Sequence, residues 1–164
     1  MATSYITLAR LHALLIYYPE TGLFFWTVDR GRNAKAGDIA GFIHNTYICI
    51  EVDGRCYRAH RLAWFYVTGQ WPTHHIDHKD GNKSNNIFDN LREATMAQNK
   101  QNLQKAPRNN VSCGLLGVTR RGNRWSARIE YGDKRRSLGN YATPEEAHQA
   151  YLIAKRNFHP FGMI

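Results

Sequence analysis

The sequence predicts an α+β protein built from small antiparallel sheets and short helices. Three observations carry that expectation. In "RWSARIEY", Trp125, Ala127, Ile129 and Tyr131 alternate with Arg124, Ser126, Arg128 and Glu130, the period of a strand with one apolar and one charged face. In "TPEEAHQAYLIAKRNF", Thr143 stands as N-cap, Pro144 at the first helical position and Glu146 three residues on, which together open a helix with a capping box. In "TYICIEVDGRCYRAH", Asp53-Gly54 supplies the positive φ angles that a tight hairpin turn needs.

The remaining elements follow in order. Leu8, Leu11, Leu14 and Leu15 form a helical stripe stopped by Pro19. "PETG" is a turn and "LFFWTV" is rich in strand formers. Residues 1–58 therefore read as an N-terminal α/β scaffold without chemistry of its own. "AHRLAWFYVTG" reads as a short helix ended by Gly69. It is followed by "HHIDHKDGNKSNNIFDNL" and by "TMAQNKQNLQ", a polar helix with Thr95 as N-cap. The order over residues 59–104 is strand, polar loop, strand, helix. "KAPRNNVSCG", residues 105–114, has linker composition. Residues 115–164 are expected to form a three-stranded antiparallel sheet backed by one helix. Ala147, Ala150, Tyr151 and Ala154 would be that helix's inner face, small enough to let it lie close on the sheet.

Length and composition narrow the function classes. A chain of 164 residues makes one domain or two small ones. Its 43% hydrophobic content argues against disorder. No apolar run approaches the roughly 20 residues that span a bilayer, and "MATSYITLARLHALLIYYPE" lacks the features of a signal peptide. Cys49, Cys56 and Cys113 are an odd set with no Cys-x-x-Cys pair, which fits free thiols in a reducing cytoplasm. Cys49 and Cys56 read as small buried hydrophobes rather than as a pair facing across the hairpin. The net charge is +9 and unevenly spread: from Lys105 onward 11 basic residues stand against 4 acidic ones, a net of +7. That asymmetry points to a polyanion partner for the C-terminal part, and to nucleic acid rather than a membrane, because no basic amphipathic helix is present.

The segment His74–Leu91 crowds lone pairs into one loop, as a solvated turn, a zinc cluster or a catalytic metal site would. His74 and His78 stand four apart, with His75 and Asp77 close by. Pro72 precedes them, a Gly and Asn loop follows, and no cysteine sits at ligand spacing, so zinc is not expected. A hard divalent cation, magnesium with manganese able to substitute, needs only one or two protein oxygens plus waters and phosphate. Asp77 and Asn99 can supply them, leaving His78 as a base for phosphodiester hydrolysis. Neighbours on a regular strand point to opposite faces, so Asp77 and His78 share one phosphate only if the strand twists or ends there.

"DHKDGNKSNNIFDNLREATMAQN", with "AHRLAW" upstream, resembles the HNH (ββα-metal) nuclease motif of phage and intron-encoded homing endonucleases. The resemblance implies a ββα-metal core, Asp77 and Asn99 as metal ligands, His78 as general base, and Asn90 as the middle Asn holding the loop by side-chain hydrogen bonds to backbone. His60 would contact a phosphate or pack between helix and hairpin. Lys79, Lys83 and Arg92 are either phosphate contacts or solvated surface.

The C-terminal "GVTRRGNRWSARI", "SLGNY" and "TPEEAHQAY" resemble the plant ethylene-response-factor (APETALA-type) DNA-binding domain, which lays its sheet in the major groove. The resemblance implies that Thr119, Arg121, Arg124, Arg128, Arg135 and Ser137 face DNA. Thr119, Glu130 and Ser137 stand where plant members often carry Arg or Trp, so the plant target site does not carry over. The expected protein is a metal-dependent endonuclease acting on double-stranded DNA in a bacterial or phage-infected cytoplasm, as monomer or homodimer. The alternative is a DNA-binding regulator whose nuclease fold is a relic. A single hydrolytic centre cuts one strand per encounter.

Overall fold

The structure is a computed structural model that describes residues 6–103, 106, 113–132 and 134–162. Mixed helices and small antiparallel sheets make it an α+β fold. It comprises two compact units, Met1–Ala94 and Thr95–Ile164.

The first unit opens with α1 (Leu8–Leu14), capped by the Thr7 hydroxyl accepting from the Arg10 N–H. The helix ends at Leu14, not at Pro19 as the leucine stripe suggested: Leu15–Tyr18 is a strand, β1, paired with β2 (Leu23–Trp26) around the Pro19–Gly22 turn. Tyr17 stacks on Phe24 across this hairpin, and such cross-strand aromatic pairing outweighs the continuing helical period. A three-stranded sheet follows: β3 (Phe42–His44), β4 (Tyr47–Val52) and β5 (Arg55–Arg58). Asp53 and Gly54 turn the β4–β5 hairpin at φ 51° and 74°. The β3 strand was not legible in the sequence, because its turn uses Asn45 and Thr46 at positive φ rather than a glycine.

The α2 helix (Ala59–Thr68) ends on Gly69 at φ 72°. Its Ala59, Leu62, Ala63 and Phe65 enter the core with Leu11, Leu15, Phe24, Ile50 and Val52. Each large side chain fully buried there contributes roughly 1.5–3 kcal/mol. The ribbon of β6 (His75–His78) and β7 (Leu91–Ala94), with a 3-10 turn at Phe88–Asn90, completes the unit. Ile76 and Leu91 anchor that ribbon in the same core.

In the second unit α3 (Met96–Gln101) starts with a capping box between Thr95 and Gln98. Then β8 (Val118–Arg121), β9 (Arg124–Tyr131) and β10 (Lys134–Tyr141) form an antiparallel sheet with β9 central, backed by α4 (Pro144–Phe158). The expected Thr143–Glu146 capping box and first-turn proline are present. Ala147, Tyr151 and Ala154 are buried against the sheet, with Ala150 packed beside them. A Cβ added at Gly117 would come within 2.0 Å of the Tyr151 ring, so only glycine lets the chain before β8 pass under the helix. Two residues depart from the alternation expected in β9. Ser126 is buried, its short side chain lying between Thr119 and Asn140 in the central strand. Tyr131, at the strand end, is 46% exposed.

Lys155 is also buried, and its Nζ donates to the Leu103 carbonyl at 2.8 Å, tying α4 to the segment after α3. Of the linker expected at 105–114, only Ala106, Cys113 and Gly114 lie within the described residues. The cysteines are unpaired, with Cys49 buried and Cys56 exposed. Exposure of Cys56 departs from its expected burial. Among the described residues no helix is long and apolar enough to cross a membrane.

Candidate active site

The crowded loop between β6 and β7 is held by a polar network. The Asp80 N–H donates to Asn90 Oδ1 at 3.0 Å, while Asn90 Nδ2 donates to Asp80 Oδ1 and to the Asn85 carbonyl, both at 2.9 Å. Asn85 Nδ2 and the Asn82 N–H donate to the Asp80 carboxylate at 2.8 Å. Burial opposes ionisation of Asp80, but these bonds outweigh it and hold the carboxyl below the ordinary carboxylate range. An irregular loop has backbone groups that no ladder can satisfy, and side-chain amides, which both donate and accept, satisfy them. The asparagine run is explained by this need.

Asp77 and His78 are the last two residues of β6. The ladder sets Asp77 opposite Arg92 and His78 opposite Leu91, so regular pleating directs the two side chains to opposite faces. Asp77 is buried and ion-paired: Arg92 Nε and Nη2 donate to Oδ2 at 3.1 and 2.8 Å. His78 is 4% exposed and its Nε2 lies 3.3 Å from Asn86 Oδ1. Burial pushes its pKa down and Lys83 adds to that, against the opposing effects of the Asn86 bond and of Asp80 and Asp77. The imidazole is therefore neutral near neutral pH and chemically able to take up a proton.

Of the two alternatives for His60, the structure takes packing. The residue is 4% exposed, and its ring meets His78 edge-on at 5.0 Å and Tyr47 at 5.3 Å. Its Nδ1 is buried with no hydrogen-bond partner among the described residues. Burial, then the neighbouring His78, Arg58 and Arg61, push its pKa down to about 3. Between that value and the ordinary imidazole range near 6.5, the unfolded chain binds the proton that the folded protein refuses. The stability linked to His60 is thus fully present above pH 6.5 and is lost as pH falls toward 3, at up to about 1.4 kcal/mol per pH unit. Urea unfolding of wild type and His60→Phe at pH 7, 5.5 and 4.5 should show a stability difference that shifts against wild type on acidification; parallel profiles would refute this assignment.

Asn99 lies half-buried on α3, in the second unit, where its N–H donates to the Thr95 carbonyl. His74 and His75 are exposed. His74 immediately precedes the extended strand that ends at His78, so their spacing of four does not bring them together as it would on a helix. Among the described residues no group of three His, Cys, Asp or Glu side chains is arranged to hold a metal. A buried carboxylate such as that of Asp77 is a donor type that suits a hard cation completing its shell with water and phosphate. The Arg92 guanidinium fixes the orientation of the Asp77 carboxylate.

In the second unit the register sets Arg121 opposite Arg124, Thr119 opposite Ser126, Arg128 opposite Ser137 and Glu130 opposite Arg135. Cross-strand partners share a face, so all six residues expected to meet DNA lie on one side of the sheet. Val118, Ala127 and Ile129 lie on the other, under α4. The Arg135 guanidinium is paired to Glu130 at 2.9 Å. A bulge between Ser137 and Gly139 returns Asn140 to the same side as Ser126, an addition that strict alternation hides.

Arg58, which carries no signal in the sequence, lies 4.1 Å from the ring of Tyr47, and Lys83, expected as a phosphate contact or solvated surface, lies 4.8 Å from it, giving a cationic rim near His78. Tyr17 and Asn86 were also missed. The scaffold carried no chemical pattern, and one asparagine among several has no distinguishing local mark.

Residues 57–101 match the family model described as HNH endonuclease, a span that starts in β5 and ends with α3. The chain is also 41% identical over 63 residues to Protein 3.8 of Escherichia phage T7, an alignment covering 38% of this chain. The chain spans 50% of that relative's length. No solved structure matches.

Proposed function

We propose that this chain is a divalent-metal-dependent DNA endonuclease hydrolysing phosphodiester bonds in duplex DNA. The observation that carries the reading is a buried, neutral His78, directly following Asp77, at the end of the first strand of a segment that matches HNH endonucleases. His78 acts as general base, taking a proton from the attacking water. Asp77 and Asn99 hold the cation, magnesium or manganese, which when bound stabilises charge on the phosphate and the departing oxygen. Asn90 keeps the loop in shape through Asp80 and the Asn85 carbonyl. Arg58 and Lys83 attract the sugar–phosphate strand to the rim beside His78.

The domain organisation proposed is a scaffold at 1–58, an HNH core at 59–104, a linker at 105–114 and an ethylene-response-factor-like domain at 115–164. In that last domain the Arg121, Arg124, Arg128 and Arg135 face, with Thr119 and Ser137, holds duplex DNA. The setting is a bacterial or phage-infected cell. A single centre nicks one strand per encounter, so a double-strand break takes a second copy or a second visit.

Supercoiled plasmid incubated with the protein and Mg²⁺ should be converted to nicked or linear form, and EDTA should prevent the conversion. Binding without any conversion, in Mg²⁺ and in Mn²⁺, would transfer the protein to the DNA-binding regulator reading. The Asp77–Arg92 ion pair is the feature that favours that second reading, because it already neutralises the carboxylate.

A further inference from the structure

The β1–β2 hairpin, part of a scaffold with no chemistry legible in its sequence, is built against the loop that faces His78. The Tyr17 hydroxyl donates to the Asn86 carbonyl at 2.6 Å over a long sequence separation. The Phe88 N–H donates to the Pro19 carbonyl at 2.9 Å. A Cβ at Gly22 would stand 2.4 Å from both the Asn86 carbonyl carbon and the Ile87 nitrogen. These are backbone atoms that cannot swing aside, and Gly22 has φ +73°. The hairpin turn and the loop therefore touch main chain to main chain, at a position that only glycine permits.

The contact continues to the imidazole. Asn86 is 3% exposed. Its Nδ2 is directed to the Ser84 carbonyl at 3.4 Å and its Oδ1 to His78 Nε2 at 3.3 Å. The Ser84 carbonyl can only accept, so it assigns the NH₂ end of the amide, and the oxygen end must face the ring. An amide oxygen opposite Nε2 selects the tautomer with hydrogen on Nε2 and the lone pair on Nδ1. Tyr17 is itself locked, stacked on Phe24 at 4.6 Å and edge-on to Tyr66 at 5.8 Å. Burial, then the charges of Glu20 and Asp89, push its pKa well up, so the hydroxyl keeps the proton it donates.

We propose that Asn86 and Tyr17 are positioning residues for His78: Asn86 fixes the ring's tautomer and orientation, and the N-terminal hairpin, through Tyr17 and Gly22, fixes Asn86. The inference rests on the nuclease reading for its consequence in catalysis, but its geometry is independent of that reading. A metal site oriented through the partners of its nearest groups loses activity when those partners are removed, even though they touch no substrate. The same logic holds for a base that must present one particular nitrogen.

Two measurements test it. In full-length ¹⁵N-labelled protein without metal or DNA, two-bond ¹⁵N–¹H correlation should show His78, assigned by its loss in His78→Ala, as the Nε2–H tautomer. Asn86→Leu should convert it to a mixture, and Asn86→Asp, which keeps an acceptor, should retain it. In single-turnover plasmid cleavage with Mg²⁺, Asn86→Leu should slow the cutting step at least about tenfold with DNA affinity unchanged. Asn86→Asp should recover to within about threefold of wild type, and Tyr17→Phe should slow cutting several-fold while keeping its ring in place. An unchanged tautomer in Asn86→Leu, or wild-type cutting by both Asn86→Leu and Tyr17→Phe, would overturn the proposal. Should Asn86→Leu not fold, Tyr17→Phe and Asn86→Asp decide it by the same readouts. A wild type that never cuts would remove the nuclease reading alone, and the tautomer measurement would still decide the clamp.

Discussion

His78→Ala is expected to abolish plasmid nicking while DNA binding survives. Positioned general bases contribute roughly 10²–10⁴-fold to a rate, and no other imidazole is placed to substitute. His60, the nearest ring at 5.0 Å, is as deeply buried as His78, but its pKa is pushed down to about 3, which makes it a poor proton acceptor. His74 and His75 are exposed at the other end of the strand. The measurement is a single-turnover rate in Mg²⁺ beside a gel-shift titration in EDTA, with thermal unfolding to establish that the variant folds. Cutting at the wild-type rate would remove His78 from the role of base, whatever the variant does to affinity.

The second large effect is expected on the sheet of the second unit. Replacing Arg121, Arg124, Arg128 and Arg135 together by alanine should weaken duplex binding by at least about a hundredfold, at about 1 kcal/mol or more per lost contact. It should also flatten the salt dependence, by about 0.9 in the log–log slope for each phosphate contact removed. The sheet should remain intact, since these side chains are exposed or half-exposed and the core is made by Val118, Ala127, Ile129 and α4. Arg135 should contribute least, because Glu130 already neutralises it at 2.9 Å. An affinity and a salt slope that both stay at wild-type values would place the DNA contact elsewhere on the molecule.

The two effects are separable because they act on different steps. Losing the base leaves the encounter with DNA in place and stops the proton transfer. Losing the arginines lowers occupancy, so cutting should recover at high protein concentration or low salt. A double set of variants measured at saturating protein therefore distinguishes a tethering sheet from one that takes part in chemistry.

Local rules made much of the fold legible. The Thr143–Glu146 capping box, the Thr95 cap, the Gly69 terminator, the Asp53-Gly54 turn and the alternation of "RWSARIEY" each depend on residues within one turn or one strand. Where local signals compete, tertiary pairing decides the element. The stripe from Leu8 to Leu15 kept a helical period, yet Leu15–Tyr18 became a strand because Phe24 and its neighbours offered a partner. Likewise β3 turns on Asn45 and Thr46, which carry no glycine signal. Ser126 kept its strand parity but not its exposure, since burial in a central strand depends on what stands on either side.

By itself, the sequence determined which chemistry is available: an Asp-His pair ahead of an asparagine-rich loop, and a C-terminal excess of arginine. Such properties are fixed by residue type and spacing, because hydrogen-bonding capacity, charge and backbone period are local. Only the tertiary structure decided which groups surround the imidazole. It brought Tyr17, Tyr47 and His60 from the scaffold and α2 to the loop that holds Asn86. The physical reason is that a side chain's proton affinity and tautomer answer to burial and to whatever atom lies within about 3 Å of it. In a folded chain that atom comes from wherever the core packing brings it, at any distance along the sequence.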